Sequence, residues 1–156
     1  MITVTLPGEK PLIFRHLVLD YNGTLACDGV LIPGVESRLN RLAELLDVHI
    51  ITADTFGKCK TSCRGINGRI HVLADGEGML EKGKFVQALG PESVVAIGNG
   101  TNDALMLERS ALGIAVVGPE GASFTALQKA RLVVPDINSG LDLLLNPKRL
   151  VATLRK

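Results

Sequence analysis

Tryptophan is absent from this chain, and one tyrosine and four phenylalanines are the only other large aromatics among its 156 residues. A core must therefore be built from aliphatic side chains, and these are plentiful, since 46% of the residues are hydrophobic. Charge of one sign is also missing. A formal net charge of +1 supplies no electrostatic reason to expect a nucleic acid or a membrane surface as partner. No apolar run approaches the roughly 20 residues that cross a bilayer. The opening MITVTLPGEK lacks the basic-then-apolar layout of a signal peptide, so a cytoplasmic location is expected. Cysteine is scarce and odd in number: Cys27, Cys59 and Cys63 fit reduced thiols better than a disulfide framework. Cys59 and Cys63, four apart, can share a helix face. With no histidine or further cysteine beside them they read as packing thiols rather than metal ligands.

What is present is an alternation of short aliphatic runs and amphipathic stretches. Residues 2–6 and 11–19 are rich in β-branched and aliphatic residues around a Pro7-Gly8 turn, predicting a hairpin whose second arm continues into a buried strand ending at Asp20. The following YNGTLACDGVLIPGV reads as loop and tight turn. A helix is predicted over 35–46, then a strand ending near Thr52, a short polar helix within 55–65, and a strand at IHVL. Further on come a helix over 76–89 closed by Gly90, a strand at SVVAIG, and a helix over 102–110 with Asn102 or Thr101 as its N-cap. LGIAVVG, a helix over about 122–130, RLVVP and one or two helices broken near Pro147 complete the chain. Strands that are aliphatic throughout are buried on both faces, which points to a three-layer, Rossmann-like α/β fold with a mainly parallel central sheet. One domain over 1–156 is expected, with 1–15 as a hairpin extension.

In open sheets of this kind a site lies beyond the carboxyl ends of the strands, at the switch point of the topology. Asp20, Asn22, Thr24, Thr52, Asn99, Asn102 and Asp103 all fall at such ends. A carboxylate closing a buried strand is costly unless donors surround it. The turn Tyr21-Asn22-Gly23-Thr24 can aim backbone N–H groups at an anion beside Asp20. With an ordinary pKa near 3.9, an aspartate is ionised at neutral pH and needs no base before attacking phosphorus. A turn aspartate that merely closes a strand fits the local stretch equally well.

Four motifs go further. LVLDYNGTL resembles the first motif of the haloacid-dehalogenase-like superfamily, and IITAD resembles the second. Lys82, at the start of a helix, fits the third, with Lys84 of the same EKGK run as the alternative. VVAIGNGTNDALMLERSALGIAV resembles the fourth and is especially similar to the GDGxNDxxxLxxAxxGIA hinge of P-type ATPases, matching at Gly98, Gly100, Asn102, Asp103, Leu107, Gly113, Ile114 and Ala115. The resemblance spans about residues 16–117 in register. It implies a capless relative of the pumps' phosphorylation domain, because neither thirty-residue gap between motifs holds a cap or a nucleotide-binding domain.

By this resemblance Asp20 is the nucleophile, Thr52 bonds a phosphoryl oxygen, and Lys82 neutralises the anions, with Asn22 at the position of a further catalytic residue. Tyr21, Asn22, Thr52, Ala53 and Lys82 would surround the phosphate. Mg2+ would be held by Asp20, the Asn22 carbonyl, Asn99 and Asp103. Two departures stand out. Many members carry an acid–base aspartate where this chain has Asn22, and a metal-binding aspartate where it has Asn99. Positioned proton transfer contributes about 10²–10⁴-fold, so slow turnover and a preference for good leaving groups are expected. The partner would be a small phosphorylated substrate or a phosphoprotein, and an open site makes self-association an expectation. A catalytically weak phosphoryl- or metal-binding regulatory module is the second reading. His16, His49 and His71, in aliphatic strands, read as core or edge residues.

Overall fold

The structure, a computed structural model, describes residues 1–53, 57–74 and 78–156. Ten strands and seven α-helices are defined there. They are β1 (Ile2–Val4), β2 (Leu12–Phe14), β3 (His16–Asp20), β4 (Ala26–Cys27), β5 (Val30–Leu31), α1 (Val35–Ala43), β6 (Asp47–Thr52) and α2 (Lys58–Ser62). After these come β7 (Arg69–Val72), α3 (Gly78–Leu89), β8 (Val94–Gly98), α4 (Ala104–Arg109), β9 (Leu112–Val116), α5 (Phe124–Lys129), β10 (Leu132–Val134), α6 (Ile137–Leu145) and α7 (Pro147–Leu154). Six strands form one parallel sheet in the order β10-β9-β8-β3-β6-β7. The chain winds outward from β3 through β6 to β7, then returns to β3's other side for β8, β9 and β10. The topology therefore reverses at β3, whose last residue is Asp20.

Period-two alternation divides the strand side chains between two cores, as expected of strands covered on both faces. Leu17, Leu19, Val95, Ile97, Leu112 and Ile114 pack with α1, α6 and α7 on one face. Val18, Ile51, Ala96 and Ala115 pack with Val86 of α3, Met106 and Leu107 of α4 and Ala126 of α5 on the other. The second face is built of smaller residues, and α4 lies close against it. A Cβ at Gly113 would stand 2.3 Å from the Leu107 carbonyl oxygen, so only glycine lets that helix backbone rest on β9.

The hairpin and β3 are distinct elements. Arg15 breaks the run, its N–H donating to Ser93 and its carbonyl accepting from Asp47, and β1–β2 form a separate two-stranded sheet. Ile2, Val4, Leu6 and Phe14 are buried in the first core, beside α7, so the hairpin spends its apolar face within the chain. The predicted helix over 35–46 ends early, at Ala43, with Leu45 and Leu46 turned back onto the Leu42 carbonyl. The predicted helix within 55–65 is present as Lys58–Ser62, and its start falls partly outside the described residues. The terminal segment is two helices meeting at Asn146-Pro147. Among the described residues no helix is long and apolar enough to cross a membrane.

Candidate active site

At the reversal point the carboxyl ends of β3 and β8 stand side by side, with Leu19 opposite Ile97. Asp20 closes β3 and Gly98 closes β8. The chain leaving β3 folds at once into a tight loop. The Tyr21 carbonyl accepts from the N–H groups of Thr24, Leu25 and Ala26 at 3.3, 2.9 and 3.0 Å. That oxygen is spent inside the loop. The loop leads into the β4–β5 hairpin, whose turn residues Asp28 and Gly29 both have positive φ, 51° and 77°. That is the pairing which Asp-Gly favours in two-residue hairpins. Tyr21 is fully buried, and its hydroxyl donates to the Gly29 carbonyl at 3.0 Å. Its side chain is a tether for the hairpin, so a phosphate contact of the kind expected of Tyr21 would fall to its backbone.

Asp20 is 6% exposed, Lys82 2%, Thr24 and Asp103 0%. The Lys82 ammonium, carried in by α3, lies 2.6 Å from Asp20 Oδ1 and 2.6 Å from Asp103 Oδ1. Lys84 points outward to Glu81, so of the two lysines in the EKGK run it is Lys82 that reaches the pocket. One ammonium between two carboxylates is the arrangement in which buried charges are tolerated, since removing any partner leaves an uncompensated ion. Burial first, and the neighbouring Asp103 carboxylate second, push the Asp20 carboxyl up to about 7, against the pull of Lys82 and of the Thr24 hydroxyl. The ordinary aspartate value assumed from sequence does not hold at this depth, because the charged form loses water. The same two carboxylates push the Lys82 ammonium up, in spite of its burial.

The turn after β8 was expected to lead into a helix capped by Asn102 or Thr101. Instead, residues 101–103 make a 3₁₀ turn and the Asp103 carboxylate captures the backbone. Its Oδ2 accepts from the N–H groups of Asn99 and Gly100 at 3.0 and 2.9 Å. An ionised carboxylate is a stronger acceptor than an amide or hydroxyl, which explains the outcome. Gly98 makes room: a Cβ there would stand 2.5 Å from Asp103 Cγ. Asn102 is exposed and takes no part in the cap.

Asn99 donates through Nδ2 to the Gly121 carbonyl at 3.0 Å, which turns its Oδ1 inward. The Thr24 hydroxyl lies 3.3 Å from that oxygen and 3.2 Å from Asp20 Oδ2. Three oxygens thus converge, from one carboxylate, one carboxamide and one hydroxyl. An all-oxygen set suits a hard divalent cation such as Mg2+. Among the described residues no group of three or more His, Cys, Asp or Glu side chains is arranged to hold a metal, in keeping with a set that draws on amide oxygens. Thr52 is buried at the end of β6, one residue beyond the Ile51 that faces Asp20, and Ala53 follows it, exposed. Asn22 is exposed on the loop. The structure thus joins Asp20, Lys82, Asn99 and Asp103 directly. Thr52, Ala53 and Asn22 stand at the same sheet end. Gly121 was not found from sequence, although the Gly-rich 118–121 loop after β9 was a signal.

The three histidines line up on one sheet face. His49 Nδ1 is 3.2 Å from His71 Nε2, and His49 Nε2 is 3.4 Å from His16 Nδ1. Phe85 of α3 covers His49 and His71. His49 is buried and His16 and His71 are half-buried, the core or edge placement expected of them.

No family model matches the chain. Among solved structures, the 3-deoxy-D-manno-octulosonate 8-phosphate phosphatase of Moraxella catarrhalis, in complex with magnesium ion, phosphate ion and sugar, overlays with a TM-score of 0.69 at 16% identity. That overlay covers 90% of this chain and 92% of that one. A putative hydrolase of the haloacid-dehalogenase superfamily from Legionella pneumophila gives 0.72 at 17% identity, covering 90% and 87%. These overlays show that the chain has the fold of the haloacid-dehalogenase-like hydrolases, with no separate cap domain among the described residues. By sequence the chain belongs to one family with the uncharacterized protein MJ0073 of Methanocaldococcus jannaschii. The two are 45% identical over 84 residues, 51% of this chain and 90% of that protein. A 50-residue stretch is 44% identical to the phosphoserine phosphatase of Archaeoglobus fulgidus, covering 32% of this chain and 14% of that enzyme.

Proposed function

We propose that this chain is a divalent-cation-dependent phosphohydrolase that forms an aspartyl phosphate on Asp20 and releases it slowly. The observation that carries the reading is the buried Lys82 ammonium, 2.6 Å from Asp20 Oδ1 and from Asp103 Oδ1, at the point where the sheet reverses. The magnesium and phosphate in the Moraxella catarrhalis structure support a phosphoryl substrate for this shared fold. Mg2+ would be held by Asp20, the Asn22 carbonyl and Asn99, with Asp103 behind them. When bound it would screen the phosphoryl charge and keep Asp20 ionised.

The chain's own groups act as follows. Asp20 is the nucleophile: its Oδ2, on the Thr24 and Asn99 side, would face the cation, which leaves Oδ1, held by Lys82, to attack phosphorus. Lys82 holds Asp20 and offsets charge on the incoming group. The Thr52 hydroxyl and the backbone of Tyr21, Asn22 and Ala53 bind phosphoryl oxygens, since the N–H groups of Gly23 and Thr24 are donated within the loop. Asn22 can orient a leaving group or a water through its amide but cannot move a proton. A base-assisted step contributes about 10²–10⁴-fold, so the loss falls mainly on hydrolysis of the aspartyl phosphate. Acyl, anhydride and aryl phosphates, which leave without a proton, are the favoured substrates, carried on a small molecule or a protein.

Phosphate release from an aryl phosphate, with and without Mg2+, in wild type and Asp20→Asn, tests the reading. Activity that survives the substitution would end it. The neutral amides at Asn22 and Asn99 favour a second reading, a phosphoryl- or metal-binding regulatory module. Stoichiometric labelling of Asp20 without turnover would single it out.

A further inference from the structure

Resting on that reading, we infer that the divalent cation and the phosphoryl group bind this pocket as an interdependent pair, because Asp20 and Asp103, the carboxylates described there, leave too little free negative charge to hold the metal. Among the described residues the pocket has two carboxylates and therefore four carboxylate oxygens. Asp20 Oδ1 and Asp103 Oδ1 are both engaged by the Lys82 ammonium at 2.6 Å. Asp103 Oδ2 is taken by the N–H groups of Asn99 and Gly100. Only Asp20 Oδ2 is left, touched by a neutral hydroxyl at 3.2 Å. With Asp20 ionised, the two carboxylates and the ammonium leave one net negative charge. The next oxygen inward, Asn99 Oδ1, cannot add to it. Its orientation is set by the Gly121 carbonyl on the other end of the amide, and it carries no charge.

Mg2+ gives up its water reluctantly and only for well-placed oxygens. A divalent ion in a pocket with one negative charge leaves an excess positive charge in a buried setting, which is costly. A phosphate brings close to two negative charges and further hard oxygens to the same point. Conversely, a phosphate alone would meet the Asp20 carboxylate with only Lys82 to offset it. Each ligand removes the other's obstacle, and linkage requires the effect to be equal in both directions.

The test uses the full chain. Mn2+ binding, read from the loss of the free-ion paramagnetic signal, is measured with and without orthophosphate, with Mn2+–phosphate association subtracted from a protein-free titration. Orthophosphate binding with and without Mg2+ is then measured by calorimetry. Expected is a tightening of about tenfold or more in each direction. In Asn99→Asp the phosphate-free Mn2+ affinity rises by about tenfold and the coupling shrinks. Mn2+ binding in wild type that is unaffected by phosphate overturns the inference while leaving the phosphohydrolase reading standing. So does an Asn99→Asp chain, folded by circular dichroism, whose phosphate-free affinity is unchanged. If Asp20→Asn binds Mn2+ with phosphate as tightly as wild type, the cation is not at Asp20 and both readings fail.

Discussion

Gly23 and Asn99 are pressed together at the mouth of the site, so closely that a Cβ on Gly23 would stand 2.5 Å from Asn99 Nδ2. Gly23 also has φ +79°, a conformation that costs an L-residue. One residue thereby serves two ends. It closes the loop after the nucleophile, and it leaves the space in which the carboxamide can reach the Gly121 carbonyl.

Gly23→Ala tests both. The backbone strain should cost about 1–2 kcal/mol of stability, visible as a lowered denaturant midpoint. The displaced amide should raise the Mg2+ concentration needed for half-maximal activity. A variant with wild-type Mg2+ dependence would show that Asn99 is not a ligand.

Lys82 is predicted to be worth more than its charge. Lys82→Met leaves Asp20 and Asp103 buried and unpaired, a change that costs about 3–5 kcal/mol when a partner is removed. Catalysis should fall by at least about a hundredfold. Lys84→Met, at an exposed lysine paired with Glu81, should leave activity and unfolding midpoint near wild type.

Asn22→Asp should be a gain of function. If the missing acid–base group limits turnover, restoring a carboxylate should speed steady-state hydrolysis by roughly 10²-fold or more, most clearly with alkyl esters. The burst expected of the wild type should disappear. No acceleration would place the slow step elsewhere.

His49 makes the fold acid-sensitive. Burial, and after it the charges of His71 and His16, lower its pKa from 6.5 to about 4. The unfolded chain therefore binds a proton that the folded chain refuses between those values. Stability is full above about pH 6.5 and falls as the pH drops toward 4, by about 2 kcal/mol from this residue. His49→Leu, which fits the apolar surroundings, should flatten the dependence of Tm on pH across that window. An unchanged slope would assign the acid sensitivity to other groups.

Much of the fold was legible because strands covered on both faces must be aliphatic throughout. HLVLD, VHIIT, VVAIG and LGIAV stand out for that reason, and all four lie adjacent in the sheet. The break at Arg15 was not legible. Both sides of it are equally apolar, and the separation comes from bonds to Ser93 and Asp47 far along the chain. The alignment of His16, His49 and His71 was hidden for a similar reason, since it depends on the parallel register of three strands.

By itself the sequence determined that this chain is an α/β protein with Asp20, Thr52, Lys82 and Asp103 at strand or helix ends, because local pattern and motif spacing are properties of the chain alone. Tertiary structure decided what each group is free to do. It sent the Tyr21 hydroxyl to the hairpin, chose Lys82 over Lys84 for the pocket, occupied both oxygens of Asp103 and turned the Asn99 amide by way of Gly121. Availability of a lone pair or a charge depends on which partners reach it first, and those partners come from elements that lie far apart in the chain.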